Sequence, residues 1–257
     1  MIELRDVRVY LSGAEVIKGV GLRLEEKALL LGPNGSGKTT LLRAIAGIVP
    51  YKGSITIDGN EVRDVRNYNA LATNLPEAFS LFARLDDIID AYEELKGFTY
   101  DVREELRKLG IPLNKRLHAL SAGQSTIART LIALATDPKV VLIDEPFESV
   151  DVAKRRLIVQ RLREYGREGL IVTHELDMAR LFADWKAFLI LEGRVYGPAK
   201  VSELLSCSLV VGEDPSAFLT LDVGGVKLSL VRGDRGVRLD AIGTLERLYA
   251  LATGERA

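Results

Sequence analysis

Residues Gly32–Thr39, GPNGSGKT, follow the spacing G-x-x-x-x-G-K-T. Glycines 32, 35 and 37 let the backbone turn its N–H groups inward, and a helix N-terminus directly after them adds a dipole that favours anions. Such a loop cradles the phosphates of a nucleoside triphosphate. Lys38 is placed to pair with β- and γ-phosphate oxygens and the Thr39 hydroxyl to ligate Mg²⁺, with Asn34, Ser36 and Thr40 completing the cradle. A second run, VVLIDEP, carries an apolar strand into Asp144 and Glu145. Asp144 suits Mg²⁺, directly or through water, and Glu145 is placed to polarise an attacking water as general base. His174 closes the next apolar strand, LIVTH, and is expected at the same sheet edge, where an imidazole can hydrogen-bond a γ-phosphate or orient the water. His118 has no such placement and reads as structural.

A second anion site lies later in the chain. Residues 120–126, LSAGQST, open a helix running through IARTLIALA towards Pro138. The Ser121 hydroxyl can cap free backbone N–H groups, and the small residues Ala122 and Gly123, ahead of Gln124, leave those groups exposed.

The elements that must position these residues follow from periodicity. IELRDVRVYL and EVIKGVGLRL alternate as strands do, and KALLL is a short apolar run ending at Gly32. TTLLRAIAGIV has helical spacing, and GSITIDGNEV is a strand closed by an Asp58-Gly59 turn. Between Pro76 and Ala119, LDDIIDAYEELKG and YDVREELRKLG predict two short helices, a helical insert. Then come helix 121–136, strand VVLID, helix 151–165, strand LIVTH, helix 175–183 and strand AFLIL. Strands alternating with helices predict an α/β fold with a mostly parallel sheet covered on both faces. After Tyr196 the pattern changes: FLTLDV and VKLSLV flank Gly224-Gly225 as a two-residue hairpin, and GTLERLYALA predicts a closing helix. The expected division is 1–195 for the main domain, with the helical part at about 77–136, and 196–257 for a small hairpin-and-helix appendage.

Composition narrows the partners. Thirty-five basic and thirty-six acidic residues leave a formal charge of -1, so no global field recruits nucleic acid. Cys207 is alone and cannot form an internal disulfide, which fits a reducing cytoplasm. MIELRDVRVY lacks a signal-peptide pattern, and runs such as KVVLI fall far short of the roughly 18 to 20 apolar residues of a spanning helix. Two Met, one Cys, glutamine only at 124 and 160, and 28% charged residues lean towards a thermophile.

GPNGSGKTT, LSAGQ, LIDEP and the strand-ending His174, in this order over roughly residues 1–195, resemble the ATP-binding subunit of an ABC transporter. The resemblance implies a P-loop ABC-type ATPase core with an antiparallel N-terminal β-subdomain. ATP and Mg²⁺ are the implied cofactors, and Thr39, Glu77 and Asp144 the implied metal residues. It implies a head-to-tail pair of ATP-binding subunits, homo- or heterodimeric. Each ATP then lies between one chain's Lys38 and the other's Ser121, Ala122, Gly123 and Gln124, and Asp151 contacts the facing subunit. Tyr10 resembles the aromatic that stacks on adenine, its alternative being an ordinary strand aromatic.

Two departures stand out. Ala122 fills a position usually held by glycine, tolerable if that backbone is helical or extended. Glu77, in TNLPEAFSLF, fills one usually held by glutamine; its alternative is a solvent-facing hinge residue. LPE before an aromatic-rich stretch, and GTLERLYALATGE at the end, resemble the exporter branch for drugs, lipids and polysaccharides. The implied partner is a permease on a separate chain, docked by a short helix in a groove around Glu77, Phe79 and Phe82, with this subunit peripheral at the inner face of the membrane. The rival implied by the resemblance is a soluble ATPase acting on a cluster-assembly scaffold. The tail is open to three roles: bracing the dimer, binding a regulator or capping the core.

Overall fold

A computed structural model describes residues 1–64, 70–79, 83–239 and 245. Phe82, and all of the expected closing helix GTLERLYALA except Leu245, lie outside them. The chain begins β1 (Ile2–Leu11), β2 (Ala14–Leu24), β3 (Lys27–Leu31), α1 (Lys38–Ile45), β4 (Lys52–Ile57), β5 (Asn60–Glu61) and β6 (Leu71–Thr73). The helical insert supplies α2 (Leu85–Lys96), α3 (Val102–Lys108) and α4 (Ala122–Ala135). Next come β7 (Val140–Asp144), α5 (Val152–Glu164), β8 (Glu168–Thr173), α6 (Leu176–Ala179), β9 (Lys186–Leu191) and β10 (Arg194–Lys200). The chain continues through α7 (Val201–Ser206), β11 (Ser208–Val211), β12 (Leu219–Val223), β13 (Val226–Val231) and β14 (Val237–Arg238).

Three sheets result. The central one has the order β10-β9-β3-β8-β7-β6, parallel from β9 to β6 with β10 antiparallel at its edge. Its inner strands carry continuous apolar runs, Ala28–Leu31, Val140–Ile143, Leu170–Val172 and Ala187–Leu191, because both faces are covered. In β3, Ala28 and Leu30 face one buried cluster and Leu29 and Leu31 the other; β7 divides Val140 and Leu142 from Val141 and Ile143 in the same way. One cluster holds Leu41, Leu42 and Ile45 of α1 together with Ile2, Leu4, Val7, Ile55 and Ile57 of the antiparallel sheet β2-β1-β4-β5. The other holds Ile127, Leu131 and Leu134 of α4 and Ile158 and Leu162 of α5. α4 is buried along Gly123, Ile127, Leu131 and Leu134, an apolar stripe at helical spacing.

The helical insert is pinned to α5 as well. Arg161 ion-pairs with Glu105 of α3, and its guanidinium lies 4.5 Å from the Tyr100 ring centre and 5.6 Å from that of Tyr165. Both partners of the pair are largely shielded from solvent, and a planar cation lying against two neighbouring rings keeps its hydrogen-bonding edge for the carboxylate.

The hairpin turns at Gly224 (φ 59°) and Gly225 (φ 81°), with Val223 opposite Val226, the positive-φ geometry that a two-residue turn requires. It joins the sheet β12-β13-β11-β14. The division expected at 195 falls inside a strand, since β10 runs across it. Leu209, Leu221, Val223, Leu228 and Leu230 belong to the same buried cluster as the helix-covered face of the central sheet. The Tyr196 hydroxyl donates to Asp222 O at 3.3 Å and accepts from Asp222 N at 3.2 Å, fixing the hairpin to that strand. The helix expected over 175–183 is shorter, a single α-turn followed by a 3-10 turn.

Candidate functional site

The register of the central sheet assembles the site. Leu31 pairs with Thr173 and Asp144 with Val172, so the Gly32 loop, Asp144-Glu145 and His174 all leave the sheet at its carboxyl edge, where open α/β sheets bind ligands. A cleft of about 410 Å³ opens there, lined among others by Asn34, Gly35, Lys38, Thr39, Asp144 and Glu145. The glycines are required by position. A Cβ on Gly32 would come within 2.5 Å of Ile190 O, and Gly35 and Gly37 have φ of 78° and 104°. Ser36 of the loop and Thr40 of α1 are buried.

Lys38 is 6% exposed and donates to Gly32 O at 2.8 Å and Pro33 O at 2.9 Å, with Glu145 Oε1 3.4 Å away. The Thr39 hydroxyl donates to Asp144 Oδ2 at 2.7 Å. Burial pushes the Asp144 carboxyl above its ordinary pKa against the lowering effect of that hydrogen bond, with the neighbouring Glu145 charge pushing it further. Its other oxygen, Oδ1, is buried without a hydrogen-bond partner. An orphaned carboxylate oxygen beside a hydroxyl is a hard donor set that fits Mg²⁺.

Glu145 has φ 41°, a left-handed backbone that costs a non-glycine residue about 1 kcal/mol or more and recurs at functional sites. The turn holds its carboxylate between two groups: Oε2 accepts from His174 N at 3.3 Å, and Oε1 lies 3.0 Å from His174 Nδ1. His174 does not line the cleft and reaches it through Glu145.

Other expected residues lie elsewhere. Ser121 caps α4: its Oγ accepts from Gln124 N at 3.2 Å, and Gln124 Oε1 accepts from Ser121 N at 3.1 Å. Ala122 is the first helical residue and has no positive φ, so its methyl is accommodated. Gly123 is buried against Ser149 O. None of the four lines this chain's own cleft, although Thr126 and Arg129 of the same helix do. Tyr10 also lies outside the lining; it is 43% exposed, with Lys52 Nζ 5.0 Å from its ring centre. Asp151 is exposed at the N-cap of α5, 3.5 Å from Lys154 Nζ.

Around the insert's hinge, the Glu77 carboxylate pairs with Arg43 Nη2 at 2.8 Å. Phe79 is 4% exposed and stacks on Tyr92 with ring centres 5.1 Å apart, so it is a core residue and not the wall of an open docking groove. The structure also adds residues that sequence reasoning passed over: Asn74 hydrogen-bonds the backbone of Asp144, and Arg43 and Arg129 line the cleft.

The ABC transporter family profile matches residues 19–148. The chain belongs to the ABC transporter family. A hemin import ATP-binding protein of Bartonella henselae is 29% identical over 253 residues, covering 84% of this chain and 94% of its own. A molybdate/tungstate import ATP-binding protein of Archaeoglobus fulgidus is 33% identical over 190 residues, covering 69% and 79%. A solved structure described as a candidate cobalt transport ATP-binding protein is 46% identical, with a TM-score of 0.91, covering 98% of this chain and all of its own. The chain is therefore an ATPase of the ABC type and has that fold. Two of these three relatives are described as import proteins and none as an exporter, so the exporter branch expected from LPE and the tail finds no support among them.

Proposed function

We propose that this chain is the ATP-hydrolysing subunit of a membrane ABC importer. The observation that carries the ATPase part is the grouping of Lys38, Thr39, Asp144 and Glu145 at one sheet edge. ATP phosphates would draw Lys38 from the loop carbonyls it now contacts, because a charge-assisted bond to phosphate is stronger than one to a neutral carbonyl. Thr39 and Asp144 would hold Mg²⁺, whose charge supports the phosphate oxygens during transfer. Glu145, fixed by its turn and by His174, would take the proton of the attacking water. Tyr10 is the candidate for adenine stacking, since it is exposed on the N-terminal sheet.

Ser121, Ala122 and Gly123 stand away from this cleft at a helix N-terminus where Ser121 and Ala122 are exposed, which supports their acting on a nucleotide held by a second ATP-binding subunit. Exposed Asp151 would meet that subunit too. The import direction is drawn from the hemin and molybdate/tungstate relatives. No helix among the described residues is long and apolar enough to cross a membrane. In this reading the pore is a permease on a separate chain and this subunit sits peripherally at the inner face, a placement drawn from the transport-protein relatives. Capture of the Glu145→Gln variant with ATP from detergent-solubilised native membranes tests this reading. A polytopic membrane protein in stoichiometric amount is expected; a soluble scaffold in its place would refute the transporter assignment.

A further inference from the structure

β6 ends at Thr73, whose last ladder partner on β7 is Leu142. Beyond that point a side chain continues the pairing. Asn74 Oδ1 accepts from Asp144 N at 2.7 Å, and Asn74 Nδ2 donates to Asp144 O at 2.9 Å. One amide thus occupies both backbone polar groups of the residue whose carboxylate meets Thr39. Asn74 is 2% exposed, and it is itself gripped from α4: Nδ2 also donates to Thr130 Oγ1 at 3.1 Å, and Arg129 Nη1 donates to Asn74 O at 2.9 Å. Arg129 leaves that contact to line the nucleotide cleft.

From this chain of contacts we infer that Asn74, braced by Arg129 and Thr130, is a positioning residue for the hydrolytic site. The inference rests on the ATPase reading above. Only an amide carries a donor and an acceptor at this reach; aspartate, of the same size, would set an acceptor against the Asp144 carbonyl. The α4 helix whose N-terminus presents Ser121 therefore also sets where Asp144 stands. A shift of α4 is passed to the metal-holding carboxylate through two hydrogen bonds, and displacements near 1 Å at such a centre cost about a hundredfold in rate.

The test uses Asn74→Asp, with Arg129→Ala and Arg129→Lys as a second route should the first variant fold poorly. Binding of a fluorescent ATP analogue is measured in EDTA and in Mg²⁺, beside steady-state kinetics. Asn74→Asp should bind within about twofold of wild type in EDTA, because the Gly32–Thr39 cradle is untouched. It should need more Mg²⁺ for half-maximal turnover and lose about 10- to 100-fold in kcat, the usual cost of losing an outer-shell partner of a metal ligand. Arg129→Ala should move the same quantities less, and Arg129→Lys should recover most of them, since an ammonium can still donate to Asn74 O. Wild-type Mg²⁺ dependence and kcat in both Asn74→Asp and Arg129→Ala would overturn the inference, as would an equal loss of affinity in EDTA. A wild-type protein that neither binds nor hydrolyses ATP would overturn the ATPase reading instead.

Discussion

Replacing Gly123 by alanine separates two roles of the LSAGQ segment. A Cβ built at Gly123 lies 2.1 Å from Ser149 O and 2.9 Å from Ser149 C, where real Cβ contacts essentially never fall below 3.0 Å. The obstacle is backbone, so something must move by about 1 Å. The 145–150 segment yields poorly: Glu148 N donates to Glu145 O at 3.2 Å, Val150 N to Phe147 O at 3.1 Å, Arg155 Nε to Val150 O at 2.9 Å, and Phe147 is fully buried. Alanine in a helix gains about 1 kcal/mol over glycine, while overpacking a tight contact costs about 1 to 3 kcal/mol. The difference is a net loss of about 0 to 2 kcal/mol, and because the 2.1 Å contact is with backbone the upper part of that range is expected for the isolated, nucleotide-free chain. Urea unfolding measures it, with Ala122→Gly at the exposed neighbouring position as a control expected to lose about 1 kcal/mol or less. A Gly123→Ala midpoint equal to or above wild type would refute the packing argument and leave the glycine only a role towards a partner's nucleotide.

Two further outcomes follow from the charges. Burial opposes ionisation of Glu61, but hydrogen bonds from Ser54, Tyr51, Ile55 N and Arg63 outweigh it and hold its pKa at about 2 against an ordinary 4.5. The native state therefore carries fewer protons than the unfolded chain between those values. The corresponding stability, at most about 3 kcal/mol, is complete above pH 4.5 and is lost as pH falls towards 2. Glu61→Gln should lower stability at pH 7 and flatten this acid limb in pH-dependent unfolding; an unchanged limb would refute the assignment. Glu77→Gln removes the pair with Arg43, whose partners are 34% and 38% exposed, so a loss of about 1 kcal/mol or less and an unchanged Mg²⁺ requirement are expected. A markedly altered Mg²⁺ titration would instead place Glu77 at the metal.

The parts legible in the sequence were those in which local pattern and contact coincide. The phosphate loop, the strand into Asp144 and the cap at Ser121 are each encoded within a few neighbouring residues, and their elements lie where periodicity places them. Long-range pairings were not legible. Asn74 meets Asp144 across 70 residues and Arg129 meets Asn74 across 55, and nothing local distinguishes that asparagine from a loop residue. β6 and β14, with three and two residues, are too short to show alternation. Phe79 follows a hinge proline as a surface aromatic would; only the fold brings Tyr92 to cover it.

The central claim is that the exposed Ser121 terminus completes a partner's ATP site. Light scattering of Glu145→Gln with saturating ATP and Mg²⁺ tests it most directly. The variant keeps the Lys38 cradle and loses the base, so a nucleotide-dependent dimer is predicted, one that Ser121→Arg abolishes without weakening ATP binding to the monomer. A Glu145→Gln chain that binds ATP and remains monomeric, or a dimer indifferent to Ser121→Arg, would contradict the account.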